Sequence, residues 1–350
     1  MPINSEIAAA NTRILSGHTT GVQRYALELL ARFGNQVHAV APTKPRHGVN
    51  GHLWEQFVLP SKLDGRLLWS PSNTGPLMIE RQIVTLHDVV PIDHPEWLNP
   101  RFAAWYQFLT PKLVRRVRSV ITDSLATRER ILHYFPDVES KIEVVHIGVD
   151  QRFHERDASE RESARKALGI PSPHYVFALG SLEPRKNLSR LLQAWARIEH
   201  RVPDDVWLVL AGARGKKLVF GDVSFESLPP RVHLSGYVPD ELLPALYSGA
   251  IAAPYLSVYE GFGLPPLEAM ACGSPPLTGD RTSLPEVVGD AGVMVDPFDV
   301  DAIADGLLRL IENPSLRAQL SARGVVRAKA FTWEKTAAET WSIIERASQR

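Results

Sequence analysis

The stretch AIAAPYLSVYEGFGLPPLEAMACGSPPLTG, residues 250–279, reads as strand, loop, helix and strand in succession. AIAAPY (250–255) is short and apolar, as a strand buried on both faces is. Pro265 or Pro266 suits the first turn of a helix, where the missing amide has no intrahelical partner to lose. SPPLTG (274–279) then reads as the next strand. A strand that passes through a helix into another strand is a parallel crossover, so this segment points to a doubly wound α/β sheet.

The same alternation extends outward. YVFALG (175–180), VWLVLAG (206–212), RVHLSGY (231–237) and AGVMVD (291–296) have strand character, and NLSRLLQAWARI, DELLPALYSGA and DVDAIADGLLRLIE have helical spacing. In the N-terminal half, VHAVAP, RLLWSPS, QIVTLHDV, SVITDS and IEVVHIGV read as strands, with GVQRYALELLARF the clearest helix. The charged stretch 150–170 carries little β signal and reads as a linker. The expected architecture is therefore two doubly wound Rossmann-like domains, 1–165 and 166–332, facing a central cleft. A C-terminal amphipathic helix at 333–350, with Thr332 as its N-cap, is expected to pack back on the first domain. In such sheets ligands bind beyond the carboxyl ends of the strands.

Bulk composition narrows the function. Lys plus Arg and Asp plus Glu are both 39, so no overall charge favours a nucleic acid, and any anion site must be local. One cysteine, Cys272, excludes an internal disulfide and suits a reducing compartment. No run of eighteen apolar residues occurs and no basic-then-apolar leader opens the chain, so a cytoplasmic protein is expected.

Glu260 and Glu268 flank a Gly-Phe-Gly turn and a pair of prolines. The amides of Gly261, Phe262 and Gly263 would be free near a helix start, which suits an anion. Carboxylates beside a phosphate would repel it, so the two acids better accept hydrogen bonds from sugar hydroxyls. In ALGSLEPRKNLSRLL, Arg185 and Lys186 follow a strand end. A planar guanidinium fork and a movable ammonium together could neutralise a diphosphate without a metal.

RKN after a strand and, further on, EGFGLPPLEAMACGSP resemble the retaining glycosyltransferases of the GT4 family, whose fold is GT-B and whose E-x7-E signature the two glutamates match. The resemblance covers essentially the whole chain, with the C-terminal part the more specific. It implies a nucleoside diphosphate sugar donor on the C-terminal domain and a glycan or lipid-linked acceptor on the N-terminal one. Glu268 would hold ribose hydroxyls and Glu260 the transferred hexose. Gly261, Phe262, Gly263 and Leu264 would line the donor, and Arg185 with Lys186 would stabilise the departing diphosphate. SGHTTGVQRYALELL is similar to the family's glycine loop, which would bring Gly21 near the donor phosphates or the acceptor. His87, ending a strand in IVTLHDVVP, matches a family position near the reacting sugar, although a lone histidine there also suits a structural role. Ser72, Asn73 and Gly75 in a polar strand-end loop could reach the acceptor, and Ser124 would either touch the acceptor or cap the next helix.

The expected activity is retaining, metal-independent hexosyl transfer in surface polysaccharide (O-antigen) biosynthesis, with GDP-mannose the favoured donor. The alternatives are a nucleotide-sugar epimerase or hydrolase on the same scaffold, or a non-catalytic assembly subunit that binds sugar nucleotide. No cofactor is expected: Asp299-Val-Asp301 opens a helix, where acids cap, and no dinucleotide or P-loop fingerprint occurs. Residues 101–119 interleave Phe102, Trp105 and Phe108 with Lys112, Arg115, Arg116 and Arg118. Such a helix either covers the sheet or lies peripherally on the cytoplasmic face of an anionic inner membrane.

Overall fold

The computed structural model describes residues 7–16, 20–181, 183–212 and 228–349, with strand backbones at 219–220 and 223–224. The chain divides into two compact units, Met1–Gly148 with Thr332–Arg350, and Val149–Phe331.

The first unit runs β1 (Ala8–Asn11), α1 (Gly21–Phe33), β2 (Val37–Val40), α2 (Gly48–Phe57), β3 (Leu67–Ser70), β4 (Gln82–Leu86), the short α3 (Val90–Asp93), α4 (Pro100–Arg116), β5 (Ser119–Thr122), α5 (Leu125–Tyr134) and β6 (Ile142–Val144). Its 6-stranded sheet is parallel, in the order β2-β1-β3-β4-β5-β6. Every residue of β1, β3, β4 and β5 is buried, as expected when helices cover both faces of a sheet. Tyr25 of α1 packs edge-on against Trp69 of β3.

The second unit runs α6 (Ala158–Ala167), β7 (His174–Leu179), α7 (Leu188–Ile198), β8 (Val206–Ala211), the two-residue strands β9 (Val219–Phe220) and β10 (Val223–Ser224), β11 (Val232–Gly236), α8 (Leu243–Gly249), β12 (Ala253–Tyr255), α9 (Leu264–Ala271), β13 (Pro276–Gly279), α10 (Leu284–Val288), β14 (Val293–Val295), α11 (Val300–Glu312) and α12 (Pro314–Ala328). The strand triplets β11-β8-β7 and β12-β13-β14 are joined by a parallel bridge between Val176 and Ala252. The resulting order, β11-β8-β7-β12-β13-β14, reverses direction between β7 and β12. The loops after those two strands stand at the switch point of the sheet, where ligands of such folds bind.

Helix α13 (Trp333–Gln349) belongs to the first unit. Thr332 caps it, its hydroxyl accepting from the Lys335 amide at 3.2 Å, and Trp333 lies beside Tyr25 of α1.

One segment departs from the sequence reading. The stretch 150–170 is not a plain linker. Asp157 and Glu160 form a capping box that starts α6, whose Ala164 is buried in a cluster with Phe153 and Tyr247 of α8. The second unit therefore begins at Val149, ahead of the division expected at 165. Helix α4 continues through Pro111 without a break. It turns Leu109, Leu113 and Val114 inward and leaves Phe102 and Phe108 exposed. Among the described residues no helix is long and apolar enough to cross a membrane.

Candidate functional site

In the second unit, the loop after β7 carries Arg185 and Lys186, and the loop after β12 carries Glu260. The strand reversal thus brings together residues far apart in the chain. Glu260 is 8% exposed. Its Oε1 accepts from Lys186 Nζ at 2.6 Å and from the Tyr255 hydroxyl at 2.8 Å, and its Oε2 accepts from Arg185 at 2.9 Å. Burial alone would raise the Glu260 carboxyl, but the two cations overcome it and hold the group at about 2. Burial, followed by the neighbouring Arg185 charge, lowers the Lys186 ammonium despite its pairing with Glu260. Burial opposes the Arg185 charge as well, yet Glu260 and Glu183 raise the guanidinium further. Glu183, whose side chain is 51% exposed, accepts from Arg185 Nε at 2.6 Å.

The loop after β12 is fixed from behind. Ser283, fully buried, donates to the carbonyls of Glu260 at 3.1 Å and Phe262 at 2.6 Å. Thr282 accepts from the Glu260 amide at 3.1 Å. Asn187, in the left-handed region at φ 58°, caps α7 and donates to the carbonyls of Leu256 and Pro297. Phe262 is buried and packs edge-on against Phe331. Gly263 is the N-cap of α9 at φ 118°, and a Cβ there would meet Leu284 at 2.9 Å, so glycine is required. Leu264 is the first residue of α9, and Gly261 lies within the turn before it. Glu268 sits in the second turn, 5% exposed. Burial, and then the Glu268 charge, push up the Tyr247 phenol and the Cys272 thiol.

In the first unit the sheet reverses between β1 and β3. Gly21 opens α1 behind a Thr20–Gln23 capping box; the rest of the glycine loop, residues 17–19, lies outside the described residues. The loop after β3 holds Ser72, which is 5% exposed with its Oγ unpartnered, and buried Gly75. Asn73, at φ 45°, accepts from the His87 amide at 2.7 Å. The His87 ring is buried between Asp123 Oδ2, 2.5 Å from Nδ1, and the Pro71 carbonyl, 2.9 Å from Nε2. A carbonyl can only accept, so Nε2 carries a proton and Nδ1 shares another with the carboxylate. Burial favours the neutral ring, but Asp123 outweighs it and raises the imidazole above its usual value. The His87 ring is thus closed between Asp123 and the Pro71 carbonyl rather than open to solvent. Ser124 is fully buried and caps α5, accepting from the Thr127 amide at 3.1 Å.

Sequence reasoning did not single out Glu183, Tyr255, Thr282, Ser283 or Asp123. Asp299 accepts from the Asp301 and Ala302 amides as the N-cap of α11, and Asp301 pairs with Arg197. Among the described residues no group of three or more His, Cys, Asp or Glu is placed to hold a metal ion.

Residues 160–326 match the family described as Glycosyl transferases group 1. The chain is 34% identical over 267 residues to O-antigen chain mannosyltransferase B of Escherichia coli, covering 76% of this chain and 70% of that protein. It is 33% identical to the MMP alpha-(1->4)-mannosyltransferase of Mycolicibacterium hassiacum, covering 73% of this chain and 61% of the relative. In fold it resembles Anabaena Alr3699/HepE, solved in complex with UDP and glucose, with a TM-score of 0.74 at 18% identity over 97% of this chain and 99% of the other.

Proposed function

The chain belongs to the glycosyl transferases group 1 family and is a hexosyltransferase of GT-B fold; from that premise we propose that it moves mannose from GDP-mannose, with retention, to a hydroxyl of a glycan or lipid-linked acceptor in surface polysaccharide assembly. The choice of mannose is supported by the two relatives named as mannosyltransferases. One structural observation carries the chemical reading: Arg185, Lys186 and Glu260 meet at the strand reversal of the second unit, next to the start of α9.

In this reading the donor diphosphate lies against Arg185, Lys186 and the Phe262 and Gly263 amides, where positive charge is prearranged and costs no reorganisation. The bond from the mannose anomeric carbon to the diphosphate oxygen breaks as negative charge builds on that oxygen. The acceptor hydroxyl bonds to the same carbon from the same face, and its proton passes to the leaving phosphate oxygen. Glu260 positions the hexose hydroxyls and Glu268 the ribose. No metal is assigned a part. On the acceptor side, His87, favoured in its protonated form by Asp123, would add positive charge, and Ser72 with Asn73 would offer polar contacts. The protein would act in the cytoplasm, with α4 peripheral to the membrane.

The test is a thermal-shift panel of GDP-, UDP- and dTDP-sugars, followed by NMR of the product's anomeric configuration. A donor at a hundredfold its Kd adds about 2.7 kcal/mol of stability. The expected result is a shift largest for GDP-mannose and an α-linked product. A flat panel, or an inverted product, would overturn the proposal.

A further inference from the structure

Beside the sheet of the first unit, α2 and α4 border a cavity of about 720 Å³. Its walls include Val49, Leu53 and Phe57 of α2, Met78 of the loop after β3, and Phe102 and Phe108 of α4. All six are exposed, Val49 at 75% and Met78 at 68%. Of the polar side chains in the wall, Gln56 and His52 are satisfied within the protein, and Arg101 adds a cation at the start of α4. Gln56 donates to the Gly75 carbonyl and accepts from the Leu77 amide, both at 2.9 Å, while His52 Nδ1 accepts from the Trp105 indole at 3.2 Å. Apart from Arg101, the wall presents mostly carbon to solvent across a concave face, which a soluble surface without a partner seldom does.

The chemistry changes at one end. A second depression of about 530 Å³ shares the Leu77 wall and is lined by Glu80, Lys112, Arg115 and Arg116. Arg115 pairs with Asp137 and Arg116 with Glu80, and all four side chains are about half exposed or more. Lys112 lies over the Phe108 ring at 3.7 Å, linking the basic end to the apolar one. Three cations against two carboxylates leave a positive balance beside the groove. A flat bilayer contact would need no slot, whereas a cavity of small-molecule size admits one chain.

We infer that this groove seats a single-chain lipid phosphate, with its hydrocarbon chain between α2 and α4 and its phosphate on Lys112, Arg115 and Arg116. The inference rests on the transferase reading with a lipid-linked acceptor, and it names where the lipid part of that acceptor binds. Burying apolar side chains against hydrocarbon is favourable, so these contacts hold the chain in the groove.

The test titrates the full-length protein calorimetrically with geranylgeranyl phosphate below its micelle concentration. Geranylgeraniol, inorganic phosphate, and vesicles of phosphatidylcholine with and without phosphatidylglycerol serve as comparisons. One-to-one binding of geranylgeranyl phosphate is expected, with inorganic phosphate at least a hundredfold weaker. Val49→Asn combined with Met78→Asn, both at exposed positions, is expected to weaken the lipid phosphate at least tenfold while leaving the GDP-mannose thermal shift unchanged. Lys112→Glu is expected to weaken geranylgeranyl phosphate severalfold and geranylgeraniol little. Binding only to phosphatidylglycerol vesicles would overturn the inference, as would lipid-phosphate binding unaffected by the asparagine pair. Lipid-phosphate binding without any response to GDP-mannose would support the groove and count against the donor reading instead.

Discussion

Glu260 and Lys186, separated by 74 positions in sequence, meet at 2.6 Å where the strand order of the second unit reverses. Arg185 completes the cluster on the other carboxylate oxygen. Replacing Glu260 with Gln leaves two largely buried cations without this counter-charge, and breaking a buried pair from one side costs about 3–5 kcal/mol. Urea unfolding of Glu260→Gln should show a loss of that order, together with transfer activity reduced by at least a hundredfold.

The same pair has a pH signature. The Glu260 carboxyl is held at about 2 in the folded state against 4.5 unperturbed. A depressed carboxyl contributes stability that is fully present above the unfolded value and lost as pH falls through the folded one. Wild-type stability should therefore decline between about pH 4.5 and pH 2, and the Glu260→Gln variant should show a shallower acid limb in denaturant titrations at stepped pH.

Glu183 shares Arg185 with Glu260 but is half exposed, so in the proposed donor pose the diphosphate would compete with it. Glu183→Gln removes that competitor and should tighten GDP-mannose binding by about two- to fivefold, within the modest range of exposed ion pairs. Calorimetric titration of the variant would show it; weaker binding would mean that Glu183 itself holds the donor.

Ser283 donates to two carbonyls in the turn that carries Glu260 and Phe262. Ser283→Ala removes the one hydroxyl proton that the two carbonyls share, at about 1–3 kcal/mol. The donor Kd should rise by about tenfold, equivalent to about 1.4 kcal/mol, with the circular dichroism spectrum unchanged.

His87 is held protonated by Asp123 and the Pro71 carbonyl. A raised imidazole contributes stability that is fully present below the unfolded value and lost as pH rises through the folded one. Imidazole ¹⁵N shifts should report a His87 midpoint above 6.5. Asp123→Asn should lower that midpoint and weaken the loss of stability on the alkaline side.

The crossover at 250–279 is legible in sequence because apolar strand, Gly-Phe-Gly turn and paired prolines each have a local cause. Glu260, Arg185 and Lys186 are legible as charges at strand ends. Their mutual pairing is not, because it depends on β7 and β12 being neighbours across the reversal. Tyr255, Thr282 and Ser283 are ordinary residues until the fold aims them at one loop. The helix at 158–167 was hidden by its charge, although Asp157 with Glu160 three positions later is a readable start signal. The mixed pattern of residues 101–119 resolves only once the buried and exposed sides of α4 are known.

A crystal soaked with GDP-mannose tests the donor site most directly. The diphosphate is expected within hydrogen-bonding distance of Arg185, Lys186 and the Phe262 and Gly263 amides, with mannose hydroxyls on Glu260 and the ribose on Glu268. Density for the nucleotide sugar elsewhere, with Glu260 still closed on Lys186 and Glu268 untouched, would contradict it.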